Sequence, residues 1–438
     1  MRSSCRALPL IALLLGSELL AEDVWSTFSP TTRPPALSRY GIAYDAARRR
    51  AVLFGGRDVA AQARGETWEW DGQNWTLAAI GGPSPRSGHA MVYDASRSRI
   101  VLHGGRSGSG FLFSDTWGWN GTAWTLLSSA GPQIHLHGLA YEATRARMLL
   151  FGGEDSTGGL RNDTWDFDGF IWTPRAPGTR PTRRRGITLA SDDLRGRSVL
   201  FGGEDALGLQ ADTWEWDGAT WIFRSTATAP AARSFGGLAF DPAGRRTLLF
   251  GGAPFLGDTW SWDGTTWTQL APVSPPSARR ELGIVFDAAR GGVILFGGLG
   301  PLGPTDDTLE LFQFCRIVGP GHSGGSAPIS CAGPPRLGTT ACFTVSNSPA
   351  PGISLLILSG PCLRNPIPVG PPGFCDPGSL YTFPLVVILG RFGAPTTYCY
   401  PIPLIPQLIG IEFCLQGGSF ETAGCYRLTG GLAAVIVP

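Results

Sequence analysis

Val52-Leu53-Phe54-Gly55-Gly56, followed ten residues on by Glu66-Thr67-Trp68-Glu69-Trp70-Asp71-Gly72 and then Trp75, is the stretch from which the fold can be read. An apolar run ending in Gly-Gly returns at Gly104-Gly105, Gly152-Gly153, Gly202-Gly203, Gly251-Gly252 and Gly297-Gly298, at intervals of 49, 48, 50, 49 and 46 residues. The tryptophan block returns at residues 115–124, 163–172, 212–221 and 258–267, and in all five copies its first and last Trp are seven positions apart. Ten positions before each diglycine stands an acid: Asp45, Asp94, Glu142, Asp192, Asp241 and Asp287. Arg usually follows it within five positions, as Arg97 and Arg99 follow Asp94. This pattern reads as a hairpin turn whose carboxylate caps backbone N–H groups and faces Arg.

Each unit therefore holds four strands, in the second unit residues 90–94 (A), 100–103 (B), 116–119 (C) and 124–127 (D). Four strands in about 49 residues make a propeller blade. The sixth unit has Asp307-Thr308-Leu309-Glu310-Leu311-Phe312 for strand C but no strand D tryptophan. Val24-Trp25-Ser26-Thr27-Phe28, alone ahead of the first unit, supplies the missing strand and is expected to close the ring.

The diglycine runs and Trp blocks resemble the kelch repeat, with Trp68, Trp117, Trp165, Trp214 and Trp260 where that family often has Tyr. The resemblance implies an all-β, six-bladed kelch-type propeller over residues 22–312. Kelch-like propellers include copper radical oxidases, sugar-acid epimerases and many binders without catalysis. The copper cofactor of those oxidases needs a Cys crosslinked to Tyr, and residues 22–312 contain no Cys.

Composition agrees with turn-rich β structure: 62 Gly and 36 Pro in 438 residues. All 35 basic residues are Arg, which excludes a Walker-type phosphate loop, a lysine Schiff base and pyridoxal chemistry. A net charge of +1 gives no field to gather nucleic acid. Residues 1–21 read as a signal peptide, with Arg2 and Arg6 before an apolar run that is too short to span a bilayer. No transmembrane segment is expected, and the protein is expected to be secreted or extracytoplasmic, and monomeric.

Residues 313–438 differ from the rest. Trp is absent, only eight charged residues remain, and eight cysteines appear: Cys315, Cys331, Cys342, Cys362, Cys375, Cys399, Cys414 and Cys425. An even count without a C-x-x-C spacing reads as disulfides of open connectivity in a small β-sandwich-like domain. Residues 333–338 and 402–410 resemble a module appended to secreted bacterial propeller and repeat proteins, which implies extracytoplasmic display.

The candidate site is the channel mouth. Arg39, Arg86, Arg185, Arg233 and Arg280 precede strand A, and Arg57, Asp58, Arg106, Glu154, Asp155, Glu204 and Asp205 follow strand B. In a propeller these connections share one face. Two readings stand: an arginine ring that binds carboxylate or sulfate, or arginines that pair with Glu154 and Glu204 or cap carbonyls between blades. The first makes the protein a binding scaffold for a protein or glycan partner. A carbohydrate-active enzyme is the alternative, with Glu154 and Glu204 the first acids to test. His135 and His137 form a His-x-His without an evident third ligand, so no metal is expected, and no cofactor.

Overall fold

In the computed structural model of the protein, residues 18–318 are described continuously, with side chains for residues 23–313. Beyond them six short strands are described as backbone, from Ser330–Cys331 to Gly424–Arg427. The expected disulfides, the sandwich-like domain and most of residues 1–21 lie outside the described residues. Glu22–Phe314 form one compact unit.

That unit is built on six four-stranded sheets, and no helix occurs among the described residues. Blade 1 is Gly41–Asp45, Arg50–Phe54, Thr67–Trp70 and Trp75–Ala79, paired in chain order. Blades 2 to 5 repeat it from their innermost strands, Ala90–Asp94, Gly138–Glu142, Thr188–Asp192 and Gly237–Asp241. Blade 6 has Gly283–Asp287, Gly292–Gly300 and Gly303–Val318, and its outer strand is Glu18–Phe28 from the other end of the described chain. The six innermost strands neighbour one another in a closed ring, blade 6 against blade 1.

Two repeated contacts join the blades. The residue closing strand B packs on the strand D tryptophan of the next blade: Phe54 on Trp124, Phe151 on Trp221, Phe201 on Trp267 and Phe296 on Trp75, with ring centroids 4.9–5.3 Å apart. The same indole N–H donates to the threonine that opens strand C of the preceding blade, as from Trp124 to Thr67 and from Trp267 to Thr213, both at 2.8 Å. Trp25 takes the sixth ring contact, 5.3 Å from Phe250, and is almost fully buried, but its indole N–H and the Thr259 hydroxyl that would receive it are not bonded. Each such indole withdraws about 150–250 Å² from water.

The diglycines are fixed by the same ring closure. Each second glycine N–H donates to a carbonyl of the next blade, from Gly56 to Arg86 at 2.9 Å and finally from Gly298 to Leu37 at 2.9 Å. Both glycines have positive φ in all six blades. A Cβ on Gly104 would stand 2.6 Å from the Ile134 carbonyl oxygen, so no side chain fits there. On the opposite face Asp45, Asp192, Asp241 and Asp287 cap a backbone N–H as read from the sequence, while Asp94 and Glu142 accept from the side chains of Arg97 and Arg145. Asp45 accepts from the Arg48 backbone N–H at 3.0 Å and from its guanidinium at 2.8 Å.

Candidate functional site: the channel mouth

The connections into strand A and out of strand B meet around the channel axis and are held by a second backbone ring. Counting back sixteen positions from the first glycine of each diglycine gives Arg39, Gly88, Leu136, Gly186, Phe235 and Glu281. All six have φ between 54° and 67°. Each N–H donates to the carbonyl of its counterpart in the preceding blade at 2.7–3.0 Å, and Arg39 closes the circle on Glu281. Four of the six are not glycine, so backbone strain is accepted there to keep the ring.

Above it lies a cavity of about 320 Å³ lined by Arg39, Arg106, His135, Leu136, Glu154, Arg185, Glu204, Phe235, Arg280 and Glu281. Every one of these occupies one of three repeat positions: sixteen or seventeen before the first glycine, or two after it. Arg57 holds that last position in blade 1, its Nε donating to Ser87 Oγ at 3.1 Å.

The mouth is electrostatically divided. In blades 3 and 4 Arg185 donates to Glu154 and, at 3.3 Å, to Glu204, while His135 Nε2 stands 3.5 Å from Glu154. Burial alone would lower the Arg185 pKa; the two carboxylates outweigh it and raise the value above the ordinary one. Burial lowers His135, against the pull of Glu154. In blades 6, 1 and 2 Arg280, Arg39 and Arg106 share the cavity wall with one carboxylate, Glu281, which Arg39 engages at 2.6 Å, and Arg57 stands beside Arg39, Arg106 and Glu281. Among the described residues Arg57, Arg106 and Arg280 make no ion pair, and Arg280 lies 4.8 Å from the centroid of the Phe255 ring. Burial lowers the Arg57 pKa, and the neighbouring Arg39 and Arg106 lower it further.

The sequence-derived set is thus divided. Arg39, Arg185, Arg280, Glu154 and Glu204 do line one cavity. Arg86 and Arg233 do not: both are fully buried inside their blades. Arg86 forks onto Asp115 at 2.6 and 3.0 Å and donates to the Gly104 carbonyl at 3.0 Å. Arg233 does the same with Asp258 and Gly251, as do Arg184 with Asp212 and Gly202, and Arg279 with Asp307 and Gly297. These four stand eighteen positions before the diglycine, where blades 1 and 3 have Leu37 and Ile134. In those two blades the strand C acid is taken instead by an arginine two residues earlier: Glu66 by Arg64, and Asp163 by Arg161 at 2.9 Å.

Glu154 and Glu204, the acids an enzyme would need, both accept from Arg185. No group of three or more His, Cys, Asp or Glu suited to a metal occurs among the described residues. His137, the other half of the His-x-His, is buried. Arg57 and Arg106 stand at the mouth as their place after strand B implies, whereas Phe235 and Glu281 carry no sign in the sequence beyond their distance from the diglycine.

Residues 46–224 match the family model described as KLHDC2/KLHL20/DRC7 Kelch-repeats domain, a stretch running from the hairpin of blade 1 to the end of blade 4. No curated protein matches the chain. By this match residues 46–224 are similar to a Kelch-repeat domain, and they form the first four blades of a closed six-bladed β-propeller.

Proposed function

We propose that the propeller is a protein-interaction scaffold that docks its partner on the mouth face. The observation that carries this is the set of loop tips between strands B and C. Val59, Phe111, Leu207 and Leu302 stand out at 76%, 60%, 94% and full exposure, and Phe255 is also exposed. Five of six blades thus raise an apolar side chain around one polar cavity. Exposed apolar surface rimmed by polar groups marks interaction sites, and loops on a rigid frame are where such sites sit. The extracytoplasmic location expected from the sequence belongs to this reading, supported by the eight cysteines of residues 313–438.

The test is capture with the full chain from its native surroundings, with crosslinking to locate the contact. Leu207→Asp with Leu302→Asp should abolish capture of the crosslinked partner. Leu194→Asp, at an exposed position on the opposite hairpin face, should leave it intact. The reverse pattern would overturn the assignment of the face. A glycan as sole ligand, with no protein crosslinked at the mouth, would overturn the scaffold reading itself.

A further inference from the structure

Away from the mouth, we propose that a second pocket, between blade 1 and the segment that enters it from blade 6, binds a neutral sugar ring. The pocket holds about 600 Å³, and Thr31, Thr32, Arg33, Trp68 and Leu77 are among its walls. Its tryptophan is free where its counterparts are tied. In blades 2, 4 and 5 the first tryptophan of strand C donates to the acid two residues before it: Trp117 to Asp115 at 2.7 Å, Trp214 to Asp212 at 2.7 Å and Trp260 to Asp258 at 2.6 Å. In blade 1 Arg64 takes both oxygens of Glu66, and Trp68 Nε1 has no hydrogen-bond partner among the described residues. Trp68 is half-buried, and its cross-strand neighbour Leu77 is 46% exposed. Indole and leucine make an apolar floor with one unused donor. The C–H face of a pyranose covers such a floor while its hydroxyls remain free to bond.

The threonine wall argues for a sugar over a peptide. It is fixed to strand D of blade 1: the Thr31 N–H donates to Asn74 Oδ1 at 2.9 Å, and the Trp75 N–H to the Thr32 carbonyl at 3.1 Å. Thr31 Oγ1 donates to Asn74 Oδ1 at 2.9 Å, and Thr32 Oγ1 to the Trp75 carbonyl. Both hydroxyl protons are committed, so the two oxygens offer a ligand only lone pairs. A proline-rich segment, the usual peptide for an exposed indole, brings carbonyls and lacks the proline N–H, which leaves those acceptors unmet. A sugar hydroxyl both donates and accepts, and so satisfies the threonine oxygens and the Trp68 N–H together. Arg33 is paired with Asp306 at 2.8 Å, which cancels its charge and favours a neutral ring over an acidic one.

The probe is an array of neutral oligosaccharides of glucose, galactose and mannose, with sulfated and carboxylated ones beside them, incubated with the full chain; the best neutral ligand is then titrated by calorimetry. A neutral oligosaccharide should bind with an affinity that added salt does not change. Trp68→Phe keeps an aromatic floor and removes the N–H, and should weaken binding about three- to tenfold. Leu77→Glu should abolish it. Leu126→Glu, at the matching place beside Trp117 in blade 2 and 48% exposed, should bind as the parent does, which separates loss of the site from loss of the fold. No neutral oligosaccharide bound, binding of acidic sugars alone, equal affinity in Trp68→Phe and the parent, equal loss in Leu126→Glu and Leu77→Glu, or displacement of the sugar by a polyproline peptide would each overturn the proposal.

Discussion

Two groups of arginines lie one or two positions apart in the repeat and meet opposite fates. Arg86, Arg184, Arg233 and Arg279, eighteen residues before the diglycine, turn inward and are closed off by a carboxylate fork and a glycine carbonyl of their own blade. Arg39, Arg185 and Arg280, one or two residues later, stand at the rim of the mouth. The residue type is the same; what differs is which side of the chain faces the blade as it turns over the αL position at sixteen. A buried charge must be fully paired, because desolvation costs several kcal/mol per ion. A rim charge keeps part of its water and can wait for a ligand. Position in the repeat therefore separates scaffold from site.

The sharpest break of this comparison is at Asp258. Removing it in Asp258→Ala leaves Arg233 buried and unpaired, and should cost about 3–5 kcal/mol in urea unfolding. Blades 1 and 3 show the alternative arrangement, an apolar residue in place of the buried Arg and an Arg two before the acid. Transplanting it as Arg233→Leu with Leu256→Arg should recover most of the stability lost in Arg233→Leu alone. Equal stability of single and double variants would show that the two arrangements are not equivalent.

The repeat made the blades, the hairpin acids and the closing strand legible, because each follows from spacing and residue type: Asp45 with Arg48, the diglycine at the strand end, Trp25 in the one vacant place. The mouth was legible only in part. Arg86 and Arg233 were grouped with Arg39 because all precede strand A, and that connection varies by two residues in what it presents. Distance from the diglycine does not vary in this way, since both glycines are pinned by the next blade's carbonyl. The backbone ring through Arg39, Leu136, Phe235 and Glu281 carries no residue signature. Only Gly88 and Gly186 hint at the left-handed turn there.

A smaller effect separates blades 2 and 3 from the others. His103 stands where five blades have Phe, packed on Trp172 and bonded to Thr116 and the Pro132 carbonyl. Burial lowers its pKa to about 4, and that of His89 to about 3. The folded value lies below the unfolded one near 6.5, so the unfolded chain binds the proton first. The contribution of the neutral imidazole is complete above pH 6.5 and is lost as pH falls toward 4, at up to about 1.4 kcal/mol per unit. Glu310 and Glu142, pushed up by burial to about 8 and about 7, act in the opposite sense down to about pH 4.5. The difference between His103→Phe and the parent chain cancels them. That difference should be small at pH 7.5 and grow in favour of Phe from pH 6.5 to 4.5; a constant difference would mean that His103 is protonated in the fold.

The smallest expected effect is the most discriminating. Arg106 makes no ion pair among the described residues and stands only half-buried at the rim, so Arg106→Ala should change unfolding stability by no more than about 0.5 kcal/mol. Removing one of four mutually repelling guanidiniums even relieves the fold slightly, so the sign should be neutral to stabilising, more so at low salt. A rim arginine kept for the fold would show the reverse, a loss on the scale of Asp258→Ala. A cation whose removal leaves the protein as stable as before, or more so, is held at the mouth against the interest of stability, and the interest it serves is then a ligand's.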